Sequence, residues 1–171
     1  EVTIDFDEYF EQVERTGAEA LIFQVKTSHG GAFAPTEVGI TNPAMTGDIF
    51  GEIVRRTNAL GLEMIAYYNM VLSWELAKTH PHWRQVGPDG EPLLLCAYPC
   101  SCMSNPEFSA LVNAHMAEAT RNYEIDGWFL DLQYFAPGGC FWADLGPMFR
   151  TWGGAHAPLA YDHLTLGDEG G

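Results

Sequence analysis

Ile125-Asp126-Gly127-Trp128-Phe129-Leu130-Asp131-Leu132-Gln133-Tyr134-Phe135-Ala136-Pro137-Gly138-Gly139 is the stretch on which the fold turns. Trp128, Phe129 and Leu130 run without polar alternation, the pattern of a strand buried on both faces of a parallel sheet. The run ends on a carboxylate, Asp131, and passes through aromatics into a Pro-Gly-Gly loop. In parallel sheets and α/β barrels, chemistry gathers where strands end and loops begin. An ionised acid there costs desolvation energy unless it is paired or hydrogen-bonded. Asp131 therefore either caps the turn after it or serves a site at the strand end, and spacing alone weighs the two evenly.

Two upstream segments share this character. Ala20-Leu21-Ile22-Phe23-Gln24-Val25 and Glu63-Met64-Ile65-Ala66-Tyr67-Tyr68 are apolar and rich in strand formers. Apolar spacing predicts helices over 7–16, 48–60 and 107–123. Asp5 or Asp7 starts the first and Gly17 stops it; Thr46 or Asp48 starts the second and Gly61 ends it. Ser104-Asn105-Pro106-Glu107 reads as a capping box opening the third. Shorter pieces are a strand at Val2-Thr3-Ile4, a loop with a short helix over 72–83, a turn at Gly87-Pro88-Asp89-Gly90 and an extended Leu93-Leu94-Leu95. Strands separated by amphipathic helices imply βαβ units, hence an α/β fold with a parallel sheet over 20–25, 63–68 and 127–130.

The 171 residues form one domain by length, residues 1–171, with a Gly-, Ala- and Pro-rich tail over 153–171 that offers only Leu164-Thr165-Leu166 as an element. The net charge of −15 arises largely because Lys26 and Lys78 are the only lysines. No basic stripe exists for a phosphate backbone, so nucleic acid is not an expected partner. No apolar run approaches a membrane span and no signal peptide is visible, so no membrane partner is expected and the compartment stays open. Cys96, Cys100, Cys102 and Cys140 are too few and irregular for a disulfide scaffold, and Cys100-x-Cys102 is not the paired spacing of a zinc ribbon. Structural thiols are the better reading, and His80-x-His82 is weaker still as a metal signal. There is no Walker loop, dinucleotide fingerprint or nucleophile elbow, and neither a metal nor a cofactor is expected.

Right-handed crossovers bring the ends of successive parallel strands to one rim. That rim should gather Lys26, Ser28 and His29 from the first strand, Tyr68 and Asn69 from the second, and Asp131 and Gln133 from the third. Trp74, Trp83, Phe33, Tyr134, Phe135, Phe141 and Trp142 lie in the surrounding loops. Aromatic faces mixed with hydrogen-bonding groups suit a sugar, with hydroxyls at its edge and C–H groups on its faces. Taken singly, each of these aromatics, and His29 too, is more often a structural residue than a ligand-binding one.

The order of these pieces resembles the early barrel of the α-L-fucosidase family and of the hypothetical glycosyl hydrolase 6 family. The likeness is carried by Lys26-Thr27-Ser28-His29-Gly30-Gly31, Asp48-Ile49, Gly61-Leu62, Ala66-Tyr67-Tyr68 and Asp126-Gly127-Trp128-Phe129-Leu130-Asp131. Pro81-His82-Trp83-Arg84 with Pro88-Asp89-Gly90 is most similar to the second family. It spans roughly residues 5 to 150. The resemblance implies a partial TIM barrel, a glycosidase activity, sugar contacts from His29 and attack on the anomeric carbon by Asp131. The sequence departs from the pattern where a double His is Ser28-His29 and where a Cys-rich motif is reduced to Cys140. A full barrel takes about 250 residues, so the chain accounts for only part of one.

The leading expectation is a retaining glycoside hydrolase with Asp131 as nucleophile and Lys26, His29, Tyr68, Asn69, Trp74, Gln133 and Tyr134 against the carbohydrate. Retaining enzymes keep a second carboxylic acid about 5–5.5 Å from the nucleophile. Its candidates are Glu169, Asp168 and Asp162, with Glu75 and Asp144 in loops, although Asp168 and Glu169 read equally as an acidic tail. A different class is a non-catalytic carbohydrate-binding half-barrel; a third reading is an open flavodoxin-like sheet unrelated to sugars. Open strand edges and an apolar inner face lead to one more expectation, a homodimer completing the barrel, with a monomer closed by the segment from Ala155 as its rival.

Overall fold

The computed structural model describes residues 3–87, 91–95 and 97–132. Helix α1 (Phe6–Thr16) begins where Asp5 accepts the backbone N–H groups of Asp7 and Glu8, both at 3.1 Å. It ends at Gly17, whose φ of 68° is the left-handed cap that costs glycine least. Strand β1 (Ala20–Lys26) runs into a tight turn and returns as β2 (Gly31–Ala32), followed by β3 (Ile40–Thr41). Helix α2 (Ile49–Ala59) starts at Asp48, which accepts from Gly51 N at 2.8 Å, and leads to β4 (Glu63–Asn69). Then come the short α3 (Trp74–Thr79), a 3-10 turn at Pro81–Trp83 and the hairpin of β5 (Leu94–Leu95) with β6 (Tyr98–Pro99). Helix α4 (Pro106–Asn122) and strand β7 (Gly127–Asp131) close the described part.

The main sheet has the order β3-β2-β1-β4-β7, with β1, β4 and β7 parallel as the alternation of strands and helices requires. The sequence places these three strands and the three long helices to within a residue or two. Between β1 and β4 the loop expected after Lys26 instead folds back, pairing β2 antiparallel to β1 at Lys26 and Ala32. The start of α4 also departs from expectation. Asn105, not Ser104, is the cap, accepting from Glu107 N and Phe108 N at 3.0 Å each, with Pro106 at the first helical position. Thr3 and Ile4 form no strand. Val2, the Pro88-Asp89-Gly90 turn, Cys96, Cys140 and Leu164-Thr165-Leu166 lie outside the described residues, as does the 153–171 tail.

The core sits between the sheet and its helices. Val25, Met64, Ala66 and Tyr68 point from the strands toward Phe10, Phe50, Ile53, Phe108 and Val112, all buried. Each large apolar side chain sequestered there contributes about 1.5–3 kcal/mol before ordering costs. The opposite face carries Ile22 and Phe129, which stay 53% and 47% exposed. The sheet is thus strongly one-sided, and its inner face is where the strand ends present their polar groups.

Candidate active site

Period-two alternation makes Tyr67, and not Tyr68, the tyrosine that shares a face with Asn69. Register then sets their neighbours, pairing Tyr67 with Phe129 and Asn69 with Asp131 across β4 and β7. The Tyr67 ring stacks on Phe129 at 5.6 Å with 17° between planes, and its hydroxyl donates to Asp131 Oδ2 at 2.5 Å. The other carboxylate oxygen, Oδ1, accepts from Leu132 N at 2.7 Å. Leu132 has a φ of 61°, the left-handed region that a leucine enters only under constraint. Burial, and next the bond to Asp131, raise the Tyr67 phenol to about 12, so it remains a donor at neutral pH.

Asn69 supports this corner from beneath. It is buried, donates through Nδ2 to Ser28 Oγ at 2.9 Å and accepts from Leu72 N at 3.0 Å. It therefore locks the end of β1 to the loop after β4, next to Asp131 in register. The backbone of β7 joins in, since Met70 N donates to Asp131 O at 3.0 Å.

His29 lies exposed on the turn after β1, edge-on to Tyr98 at 5.5 Å, and Trp74 approaches the same Tyr98 ring at 6.4 Å. Its carbonyl accepts from Glu75 N at 3.0 Å, which seats the turn on the start of α3. Glycine is required at Gly30: φ is 106°, and a Cβ would stand 2.2 Å from Ser73 Oγ. The Glu75 carboxylate pairs with Lys78 Nζ at 2.9 Å. These rings and Trp74, 37% exposed, form a partly open aromatic patch.

Two expected rim residues are placed elsewhere. Tyr68 is fully buried on the helix side, its hydroxyl 2.9 Å from His115 Nδ1 and its ring edge-on to Trp128. Lys26 is also buried, donating from Nζ to Leu72 O at 2.8 Å and lying 5.5 Å over the Tyr68 ring. The cause is an irregularity in β1: the register with β4 shifts between Gln24 and Lys26, so Lys26 pairs with Tyr68 and turns to its face. Burial lowers the Lys26 amine to about 7. His115 is held low as well, first by burial. Its neighbour in α4, Glu118, accepts from the Thr36 hydroxyl and from Glu37 N at 2.8 Å. Neither Tyr68 nor Lys26 reaches the inner face.

The residue that sequence reasoning passed over is Tyr67. Strict alternation counted back from Asn69 finds it without a structure. Gln133, Tyr134, Asp168, Glu169, Asp144 and Asp162 lie outside the described residues, as do Phe135, Phe141 and Trp142. Cys100 and Cys102 are buried, and among the described residues no group of three His, Cys, Asp or Glu side chains is placed to hold a metal ion.

The fold that carries this strand-end carboxylate is shared with solved structures. The structure superposes on an α-L-fucosidase, isoenzyme 2, from Paenibacillus thiaminolyticus, with a TM-score of 0.77 and 18% identity over 93% of this chain and 25% of that one. It matches an α-galactosidase from Lactobacillus brevis with a TM-score of 0.63 and 15% identity, over 94% of this chain and 21% of that one. An α-L-fucosidase from Bacteroides thetaiotaomicron matches with a TM-score of 0.58 and 18% identity, over 96% of this chain and 33% of that one. The chain thus spans a third or less of the length of these structures, and its βα units correspond to a portion of their TIM barrels. No curated protein matches it. A family model, however, covers residues 5–132, which is most of the chain. The chain belongs to the hypothetical glycosyl hydrolase 6 family.

Proposed function

We propose that this chain carries the nucleophile half of a retaining glycoside hydrolase site, with Asp131 attacking the anomeric carbon. The observation that supports it most is the Asp131 carboxylate, held at the C-terminal end of a parallel strand by Tyr67 and Leu132 N. A nucleophile has to be aimed, because effective concentration depends on near-attack geometry. His29, Trp74 and Tyr98 supply a face and a polar edge of the kind a pyranose ring takes. The acid that protonates the leaving group is assigned to Glu169 or Asp168, and the α-L-fucosidases and α-galactosidase above suggest fucosides and galactosides as first substrates.

The test is hydrolysis of aryl fucosides and galactosides by the chain and by Asp131→Asn. Turnover should fall on the order of a thousandfold or more in the variant, as expected when a covalent nucleophile is lost. Intact-mass measurement should also show one glycosyl group added to the wild type by a slow 2-fluoro glycoside, and none to the variant. Equal rates in both proteins would remove Asp131 from the mechanism. Sugar binding without turnover would favour the carbohydrate-binding reading instead.

A further inference from the structure

We infer that Tyr67 is the positioning residue of Asp131: with the Leu132 N–H it holds both carboxylate oxygens and eases the departure of that carboxylate from a glycosyl ester. This rests on Asp131 being the nucleophile. The two donors approach from different parts of the chain, a phenol on β4 and a backbone N–H just past β7. Stacking on Phe129 fixes the Tyr67 ring, so its hydroxyl has little freedom to leave Oδ2. Leu132 N donates to Oδ1 from the peptide that directly follows Asp131, and the chain turns away there with a left-handed φ of 61°.

The consequence is an asymmetry between the two chemical steps. In the first, a carboxylate oxygen of Asp131 bonds to the anomeric carbon and the bond to the aglycone oxygen breaks, the electron pair leaving with that oxygen. A dinitrophenyl aglycone departs as its phenolate and needs no proton. In the second, water oxygen bonds to the same carbon and the ester C–O bond breaks. The electron pair returns to Asp131, and the proton of the water passes to solvent. A hydrogen bond strengthens with the negative charge on its acceptor. Charge on the carboxylate is consumed in the first step and regenerated in the second. Tyr67 therefore restrains attack slightly and assists departure.

Tyr67→Phe should slow deglycosylation about ten- to a hundredfold, the worth of one hydrogen bond to a charged group. Glycosylation should change far less. With the dinitrophenyl glycoside that turns over best, the variant should show a pre-steady-state burst approaching one phenolate per chain and accumulate glycosylated protein by intact mass. Tyr68→Phe, which removes a hydroxyl from the opposite face of the same strand, should retain wild-type partitioning. A readout independent of turnover is the Tyr67 hydroxyl proton, a downfield NMR signal expected in the wild type and missing from both Tyr67→Phe and Asp131→Asn. Turnover with no burst in Tyr67→Phe, or equal slowing of both steps, overturns the assignment of Tyr67 alone. Folded wild type without the hydroxyl signal does the same. Absence of turnover and of covalent labelling in the wild type overturns the nucleophile reading, and this role with it.

Discussion

Tyr67 and Tyr68 are adjacent in β4 and lie on opposite faces of it, and their hydroxyls serve different ends. Tyr68 is sealed between the sheet and α4, where it meets His115 and lies beneath the Lys26 amine. The Tyr68 hydroxyl and the Lys26 amine each have a partner there, His115 and the Leu72 carbonyl, where water cannot replace one that is lost. Tyr67 stands half-buried on the open face, where its hydroxyl is committed to a single carboxylate. The same residue type thus supports the core in one place and holds a strand-end carboxylate one residue away. The difference shows that the two faces of this strand end hold a tyrosine in different ways, and that parity decides which is which.

The sharpest way to break that contrast is to remove each hydroxyl in turn. Tyr68→Phe leaves the buried His115 nitrogen without its partner and should cost about 1–3 kcal/mol. Tyr67→Phe, on the wetter face where water can replace the lost donor, should cost less stability than Tyr68→Phe. Urea denaturation of both variants measures the difference, and equal losses would mean that the two faces are not distinct.

A smaller effect comes from Lys26. Its amine is lowered by burial to about 7, against an unfolded value near 10.4, so the unfolded chain binds more protons between those limits. Stability must then rise with pH from about 7 toward 10, by at most about 1.4 kcal/mol per pH unit from this group. Below pH 7 both states are protonated and the penalty is constant. Lys26→Met should remove that slope in denaturation curves taken at pH 7, 8 and 9. An unchanged slope would show that the amine is not confined as its contacts imply.

The weakest expected signal concerns the open face. Ile22 and Phe129 present apolar surface there, and β1 pairs with β2 at its end, at Lys26. Such edges favour pairing with another strand, which is the basis for expecting a homodimer that completes the barrel. Light scattering at low micromolar concentration should give twice 18.9 kDa, with Phe129→Lys shifting the mass toward the monomer. A wild-type mass of 18.9 kDa would end the idea.

Much of this was legible in the sequence because its causes are local. Apolar spacing, the Asp5 and Asp48 caps and Gly17 set the helices, while the apolar runs set β1, β4 and β7 and left Asp131 at a strand end. The α/β class and the parallel sheet follow from those elements. Tertiary structure alone decided how side chains are shared between faces. The irregularity near Val25 turned Lys26 to the helix side, the register set Tyr67 beside Phe129 and Asp131, and Leu132 N closed the second oxygen. A one-residue change in pairing reverses every side chain beyond it, and pairing is settled by contacts far apart in the chain. The acid is therefore written in the sequence, and the geometry that holds it is written in the packing.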